Sequence, residues 1–255
     1  MLSGLSTVNI ELTSRCNKNC GMCGRRKLPS TFPFGDIDFD LLGTIANQLP
    51  SNITVQLHNN GEPLLYPKLK EAISLFRMQY TGLNTNGILL VEKADEIINN
   101  LDTLTISIIE NNDKEQIKSI GKFLELKGDK KPLVVFRCLG NIDTEPYKDL
   151  GMVATRVLHS PKGSFQYKRK VTVPETGVCL DLLHHLSIDC YGNISKCVRF
   201  DPNGDNIIGN LHVDTLDSIW NGQRRQRTIR YHLKGRRDSV PICSTCEFWG
   251  IPIGV

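Results

Sequence analysis

The chain has 255 residues, enough for one large domain or for one domain with a small companion. Its hydrophobic fraction of 40% and charged fraction of 23% are those of an ordinary globule, and no apolar run approaches the roughly 20 residues that cross a bilayer. A formal charge of +4 is too small to argue for nucleic acid. Nine cysteines without a basic, then apolar, N-terminal leader point to a reducing, cytoplasmic compartment and to metal use rather than disulfides.

Taken in chain order, residues 7–13 alternate and predict a strand. A cysteine-bearing loop follows directly. Residues 38–49 place Leu41, Leu42, Ile45, Ala46 and Leu49 on one helical face. Residues 52–58 predict the second strand. Pro67 is placed to open a helix with Leu69, Ala72, Ile73 and Phe76 on one side. Residues 81–86 predict strand three and 91–100 a helix. Residues 104–109 predict strand four, and 113–126 a helix with Ile117, Ile120 and Leu124 in register. Residues 132–139 predict strand five and 154–158 strand six. This regular alternation implies an α/β fold, a parallel sheet with crossover helices, over residues 1–160.

The pattern changes over residues 161–255. Ser160-Pro161-Lys162-Gly163 and Pro174-Glu175-Thr176-Gly177 read as a linker. Residues 186–197 look like a β-hairpin turning at Tyr191-Gly192-Asn193. Residues 213–235 predict helix, with Leu216, Ile219, Trp220, Ile229 and Leu233 as its buried face. The segment is short and cysteine-rich, the composition of a small domain stapled by metal. The basic stretch at 224–237 is most simply a solvated helix face.

The chemistry-bearing signal is Cys16, Cys20 and Cys23, spaced C-x3-C-x2-C after the first strand. Half of a zinc site or a disulfide framework would also use clustered cysteines, although zinc sites usually show paired C-x2-C groups. Three thiolates on a four-iron cluster leave one iron open to a bidentate small molecule. The spacing resembles the cluster loop of the radical S-adenosylmethionine (radical SAM) enzymes, in which the open iron holds the amino and carboxylate groups of SAM. The resemblance implies a partial (β/α)6 TIM-like barrel, with cofactor loops at the C-terminal strand ends. It also implies an electron donor such as flavodoxin or ferredoxin.

Asn59-Asn60-Gly61-Glu62-Pro63 follows strand two, where that family carries a Gly-Glu-Pro-like segment against the SAM amino group. A carboxylate such as Glu62 can hold an ammonium, and Gly61 permits close backbone approach. By the same resemblance Asn86 matches a Thr-Asn-Gly at the end of strand three, Ser107 reaches a ribose hydroxyl, and Arg137 meets the SAM carboxylate. The residue before the third cysteine is usually aromatic in the family. Here it is Met22, whose thioether can pack on a ring.

A second cysteine set comprises Cys179, Cys190, Cys197, Cys243 and Cys246. Cys179 with Gly192-x4-Cys197 matches the start of the SPASM motif of radical SAM proteins. With nine residues after Cys246, the set resembles the shortened SPASM, or Twitch, domain of the 2-deoxy-scyllo-inosamine dehydrogenase type. Cys179, Cys197, Cys243 and Cys246 would then ligate one auxiliary [4Fe–4S] cluster, with a four-cysteine zinc ribbon as the alternative. Cys190 is spare and Cys138 is a core residue. The implied activity is oxidation of a substrate by a 5′-deoxyadenosyl radical, with the auxiliary cluster accepting an electron. Modification of a ribosomally made peptide is the alternative. A barrel starting at residue 7 argues against a preceding peptide-recognition domain. A non-catalytic Zn/Cys nucleic-acid module is a distant third. His184, His185, Tyr147 and Lys168 are available as a base, none of them assigned, and Arg199 is a candidate anchor for a polar substrate group.

Overall fold

The computed structural model describes residues 1–111, 113–156, 177–198, 201, 203–244 and 246. Six short strands carry the alternation seen in the sequence. They are β1 (Thr7–Ile10), β2 (Thr54–Gln56), β3 (Tyr80–Thr85), β4 (Thr103–Ile108), β5 (Leu133–Leu139) and β6 (Met152–Arg156). Between them run α1 (Phe39–Gln48), α2 (Leu69–Leu75), α3 (Ala94–Ile97), α4 (Lys114–Lys127) and α5 (Glu145–Lys148). Each neighbouring strand pair is parallel, in the order β6-β5-β4-β3-β2-β1. Parallel neighbours need crossovers, which the helices supply. This is the partial barrel that the alternation and the resemblance together implied.

One face of the sheet is apolar. Val8, Val55, Leu104, Ile106 and Phe136 are fully buried there with helix residues such as Ile45, Phe76 and Phe123. The other face is polar. Asn9, Gln56 and Gly82 share one rung, Asn84 and Thr105 another, and Ser107 and Arg137 a third. Side chains opposite one another in a parallel ladder point the same way. A Cβ at Gly82 would lie 2.6 Å from the Gln56 side-chain amide, so the glycine makes room for that amide on the polar face.

Local chemistry sets the helix starts. The Asp38 side chain accepts from the Asp40 and Leu41 amides, and Asp113 accepts from Gln116, each capping its helix. Pro67 does not open α2; the helix begins at Leu69 with Lys68 at its cap, one residue beyond the proline. The helix expected over 91–100 is regular only through Ala94–Ile97, because Ile98 turns extended and Asn99 takes a φ of 64°. In α4 the buried stripe is Gln116, Ile120 and Phe123, with Ile117 and Leu124 packed at its margin.

The C-terminal region contains α6 (Leu180–His184), β7 (His185–Ile188), β8 (Asn193–Ser195), β9 (Ile207–Asn210), α7 (Leu216–Trp220), α8 (Gln223–Leu233) and α9 (Pro241–Ser244). The expected hairpin is present, with β7 and β8 antiparallel. The sequence did not show that β7 also pairs in parallel with β1, so that β7, β8 and β9 extend the barrel sheet to nine strands. The expected boundary near residue 160 lies outside the described residues. Leu216, Ile219 and Trp220 are buried as expected, whereas Leu233 is 66% exposed and Ile229 half-buried. The buried stripe of α8 is instead Arg225, Thr228 and His232. The Arg225 guanidinium stacks 3.4 Å over Trp220 and donates to the Leu182 and Leu183 carbonyls, so polar partners satisfy what an apolar stripe would otherwise fill. No helix among the described residues is long and apolar enough to cross a membrane.

Candidate cluster and cofactor site

The loop bearing Cys16, Cys20 and Cys23 leaves the C-terminal end of β1 and is tied down on three sides. At the exit of β2, the Glu62 amide donates to the Arg15 carbonyl at 2.8 Å. At the exit of β3, Asn86 Nδ2 donates to Asn17 Oδ1 at 2.8 Å. At the entry to α4, the Lys18 ammonium sits 3.3 Å from Asp113. Inside the loop, the Cys23 amide closes on the Cys20 carbonyl and the Lys18 amide reaches Cys16 Sγ at 3.5 Å. Burial raises the pKa of the Cys16 and Cys20 thiols, and the neighbouring thiols of the set push the same way. The three sulfurs therefore share one neighbourhood, and Met22, next to Cys23 in the chain, is half-buried.

Gly61 has a structural reason that the sequence did not show. A Cβ there would lie 1.9 Å from the Thr13 carbonyl oxygen, so the glycine lets the loop after β2 press on the chain leaving β1. Glu62 is 2% exposed. Its Oε1 accepts from the Leu64 amide at 3.1 Å and the Thr85 hydroxyl at 2.8 Å, and its Oε2 accepts the Asn86 amide at 2.8 Å. Burial raises its pKa while these donors oppose the rise. One lone pair of Oε2 remains for a further donor. Pro63 starts a 3₁₀ turn (Pro63–Leu65) that Glu62 caps.

Ser107 and Arg137 face the polar side from adjacent strands. His58, two residues beyond Gln56, shares this face, and its Nδ1 accepts the Asn84 amide at 3.2 Å. Burial pulls its pKa down to about 3, with the Arg137 and Arg156 guanidiniums adding to the effect. His58 and Arg156 escaped sequence reasoning. The alternation Thr54, Gln56, His58 against Val55, Leu57 was the signal for the first. Glu11 was missed too. It is buried, its carboxylate accepts the amides of Asn60 at 2.9 Å and Cys190 at 3.4 Å, and burial raises its pKa. It joins the loop after β2 to the C-terminal hairpin.

The possible bases fall elsewhere. Tyr147 is buried against Phe136 on the apolar side. His184 bonds the Gly4 carbonyl at 2.8 Å, and His185 sits 3.3 Å from Asp181. Lys168 and Arg199 lie outside the described residues.

The second cysteine set also converges. Cys179 caps α6, Cys197 follows β8, Cys243 lies in α9 and Cys246 just beyond. Burial pushes the Cys243 thiol up to about 12, helped by Cys246 and Cys179 and opposed by Lys196 and Arg237. Lys196 is 6% exposed and is influenced by Cys243 and Cys197. Arg237 donates to the Cys243 and Cys246 carbonyls, and the Cys179 amide donates to His232 Nδ1 at 3.3 Å. Cys190 and Cys138 are buried, as expected of a spare thiol and a core residue. Among the described residues no three Cys, His, Asp or Glu side chains are close enough to clasp one bare ion. A four-iron cluster asks for a wider set, each thiolate on its own iron, and the two donor sets of three and four thiols suit an open and a fully ligated cluster.

Residues 179–247 match the family model of the SPASM iron–sulfur cluster-binding domain. Over 217 residues the chain is 26% identical to the tungsten-containing aldehyde ferredoxin oxidoreductase cofactor-modifying protein of Pyrococcus furiosus; the match covers 76% of this chain and 60% of that protein. It is 22% identical to the S-adenosyl-L-methionine-dependent 2-deoxy-scyllo-inosamine dehydrogenase of Niallia circulans, covering 95% of this chain and 92% of that one. Among solved structures, BtrN in complex with AdoMet and 2-DOIA superposes with a TM-score of 0.68 at 18% identity, covering 95% and 92% of the two chains. Streptococcus suis SuiB bound to S-adenosylmethionine gives 0.70 at 14% identity, covering 96% and 72%. With the SPASM match at its C-terminus and these relatives spanning its barrel, the chain is similar along its length to radical SAM proteins that carry a SPASM-type iron–sulfur domain.

Proposed function

We propose that this protein is a radical SAM oxidoreductase with a Twitch-type auxiliary cluster as electron acceptor, acting on a small molecule in the polar concavity of the barrel. The carrying observation is the knot at the strand ends, where Glu62 and Asn86 tie the exits of β2 and β3 to the Cys16–Cys20–Cys23 loop. SAM and [4Fe–4S] clusters are its cofactors, and when bound they supply a 5′-deoxyadenosyl radical that takes hydrogen from the substrate.

In this reading Cys16, Cys20 and Cys23 hold the cluster with the open iron. Glu62 offers its remaining lone pair to the SAM ammonium, with Gly61 and Pro63 fixing the turn. Met22 packs on the adenine, Asn86 orients the loop, Ser107 faces a ribose hydroxyl and Arg137 faces the SAM carboxylate. Cys179, Cys197, Cys243 and Cys246 hold the auxiliary cluster, and an external donor such as flavodoxin or ferredoxin supplies the electron. Among the neighbours, the dehydrogenase is named for a small aminocyclitol and SuiB has been solved bound to a precursor peptide. The match of nearly equal length to the dehydrogenase favours the small molecule.

The test is anaerobic reconstitution followed by SAM, a reductant and candidate substrates. The expected result is stoichiometric 5′-deoxyadenosine and a product lighter by two hydrogens. A reconstituted protein that binds iron yet never cleaves SAM would remove this function.

A further inference from the structure

Lys196 is the one buried lysine among the described residues, at 6% exposure, and it directly precedes Cys197. Its amide donates to the Asn206 carbonyl at 3.2 Å and its ammonium to the Asp205 carbonyl at 3.3 Å. Both ends of the residue are thus pinned to the chain entering β9, and the side chain has little freedom to leave.

A single carbonyl does not repay the burial of an ammonium, which has three donors and a full charge. Anions must stand nearby. Among the described residues, the charges that act most on Lys196 are those of Cys243 and then Cys197, ahead of Asp201 and Asp205. The charge partner of the buried lysine is therefore the second thiol set. Arg237 reaches the same set through the carbonyls of Cys243 and Cys246. The first set is surrounded differently. Glu62 works against Arg25 at Cys16, and Glu110 works against Lys18 at Cys20, whereas Lys196 and Arg237 act together at Cys243.

We infer that Lys196 is the counter-charge of the auxiliary cluster and sets its reduction potential, favouring the form that has taken up an electron. The inference rests on the proposed reading of Cys179, Cys197, Cys243 and Cys246 as ligands of an electron-accepting [4Fe–4S] cluster. Cluster potentials follow net charge and the hydrogen bonds around the sulfurs. The reduced form carries one more negative charge than the oxidised form, so a cation fixed beside the ligands stabilises it more. In the oxidation, the substrate radical gives one electron to this centre and one proton to a base. Lys196 acts on the destination of the electron alone.

The test is a potentiometric titration of the full reconstituted chain, followed by electron paramagnetic resonance. The auxiliary signal is the one that survives Cys16→Ala with Cys20→Ala and Cys23→Ala. Lys196→Met should shift its equilibrium at least tenfold toward the oxidised form, about 59 mV more negative for a one-electron couple. Lys196→Arg, which keeps the charge, should recover most of that shift. Lys196→Gln keeps the comparison decisive if the methionine variant does not fold. Urea denaturation of the iron-free chain gives a second readout. There the lysine has lost its cluster, and Lys196→Met should be no less stable than wild type, because an apolar side chain replaces a buried charge. An unchanged auxiliary potential in both neutral variants overturns the inference, as does equal loss of stability with and without iron, which would make the lysine a structural residue. A wild-type protein with no auxiliary signal defeats the proposed cluster and this inference together, whereas a normal signal with an unmoved potential defeats this inference alone.

Discussion

The Glu62 carboxylate accepts the backbone amide of Asn86 at 2.8 Å. Two βα units are thereby locked at their C-terminal ends, and Asn86 passes the restraint on to the cysteine loop through Asn17. A residue chosen from the sequence as a ligand contact is thus first a structural bracket. It can serve a ligand because the bracket uses three of its four acceptor positions.

Glu62→Gln should therefore act on both fold and cofactor. The amide that replaces one carboxylate oxygen faces a donor, either at Asn86 or at Thr85, and each lost charge-assisted bond costs about 1.5–3 kcal/mol. Urea denaturation should show a loss of that order, and calorimetry weaker SAM binding. Unchanged SAM affinity in a protein of unchanged stability would contradict both roles.

Gly61→Ala should be more damaging than its size suggests. The added methyl meets backbone rather than a movable side chain, 1.9 Å from the Thr13 carbonyl and 2.8 Å from that of Arg15. A loss of about 3 kcal/mol, the upper end of overpacking costs, is expected in chemical denaturation. Iron retention by the cysteine loop should fall with it.

Replacing Cys16, Cys20 and Cys23 together with alanine should halve the iron. Two four-iron clusters give about eight iron per chain, and the variant should keep about four. SAM cleavage should vanish. Wild-type protein that reconstitutes only one cluster would remove the auxiliary centre from this account.

His58 makes acid stability measurable. Its pKa is about 3 in the folded protein and about 6.5 in an unfolded chain. Between those values the unfolded state binds more protons, so this residue makes stability fall as pH drops from about 6.5 toward 3. His58→Gln should flatten that part of the stability profile relative to wild type. Parallel profiles over pH 3–6.5 would show that the ring titrates normally.

Cys243→Ala with Cys246→Ala should loosen one region and spare the other. Amide exchange should accelerate at α6 and α9, beside Cys179 and Cys243, with β2 to β5 still protected and β7 to β9 held by the main core that Leu186, Ile188, Ile194 and Ile208 join. Product should be lost while some uncoupled SAM cleavage persists. Full product at a normal rate would reduce the auxiliary cluster to a structural role.

Periodicity in the sequence determined the six βα units, because alternation and 3.6-residue spacing are local consequences of which face meets the core. Cysteine spacing determined the first donor set, since Cys16, Cys20 and Cys23 lie within one loop, whereas Cys179, Cys197, Cys243 and Cys246 come from α6, the end of β8 and α9 and approach one another only through the tertiary fold. Tertiary structure alone decided the rest. Only long-range pairing could place β7 against β1, because a strand pattern names a partner face but not a partner strand. Only packing could turn Arg225, Thr228 and His232 of α8 inward, since polar partners at Leu182, Leu183 and Cys179 lie far off in the chain. The same holds for the inner face of the barrel. His58, Arg137 and Arg156 are spread over about 100 residues of sequence and acquire a shared chemistry only when the parallel register sets β2, β5 and β6 around one concavity.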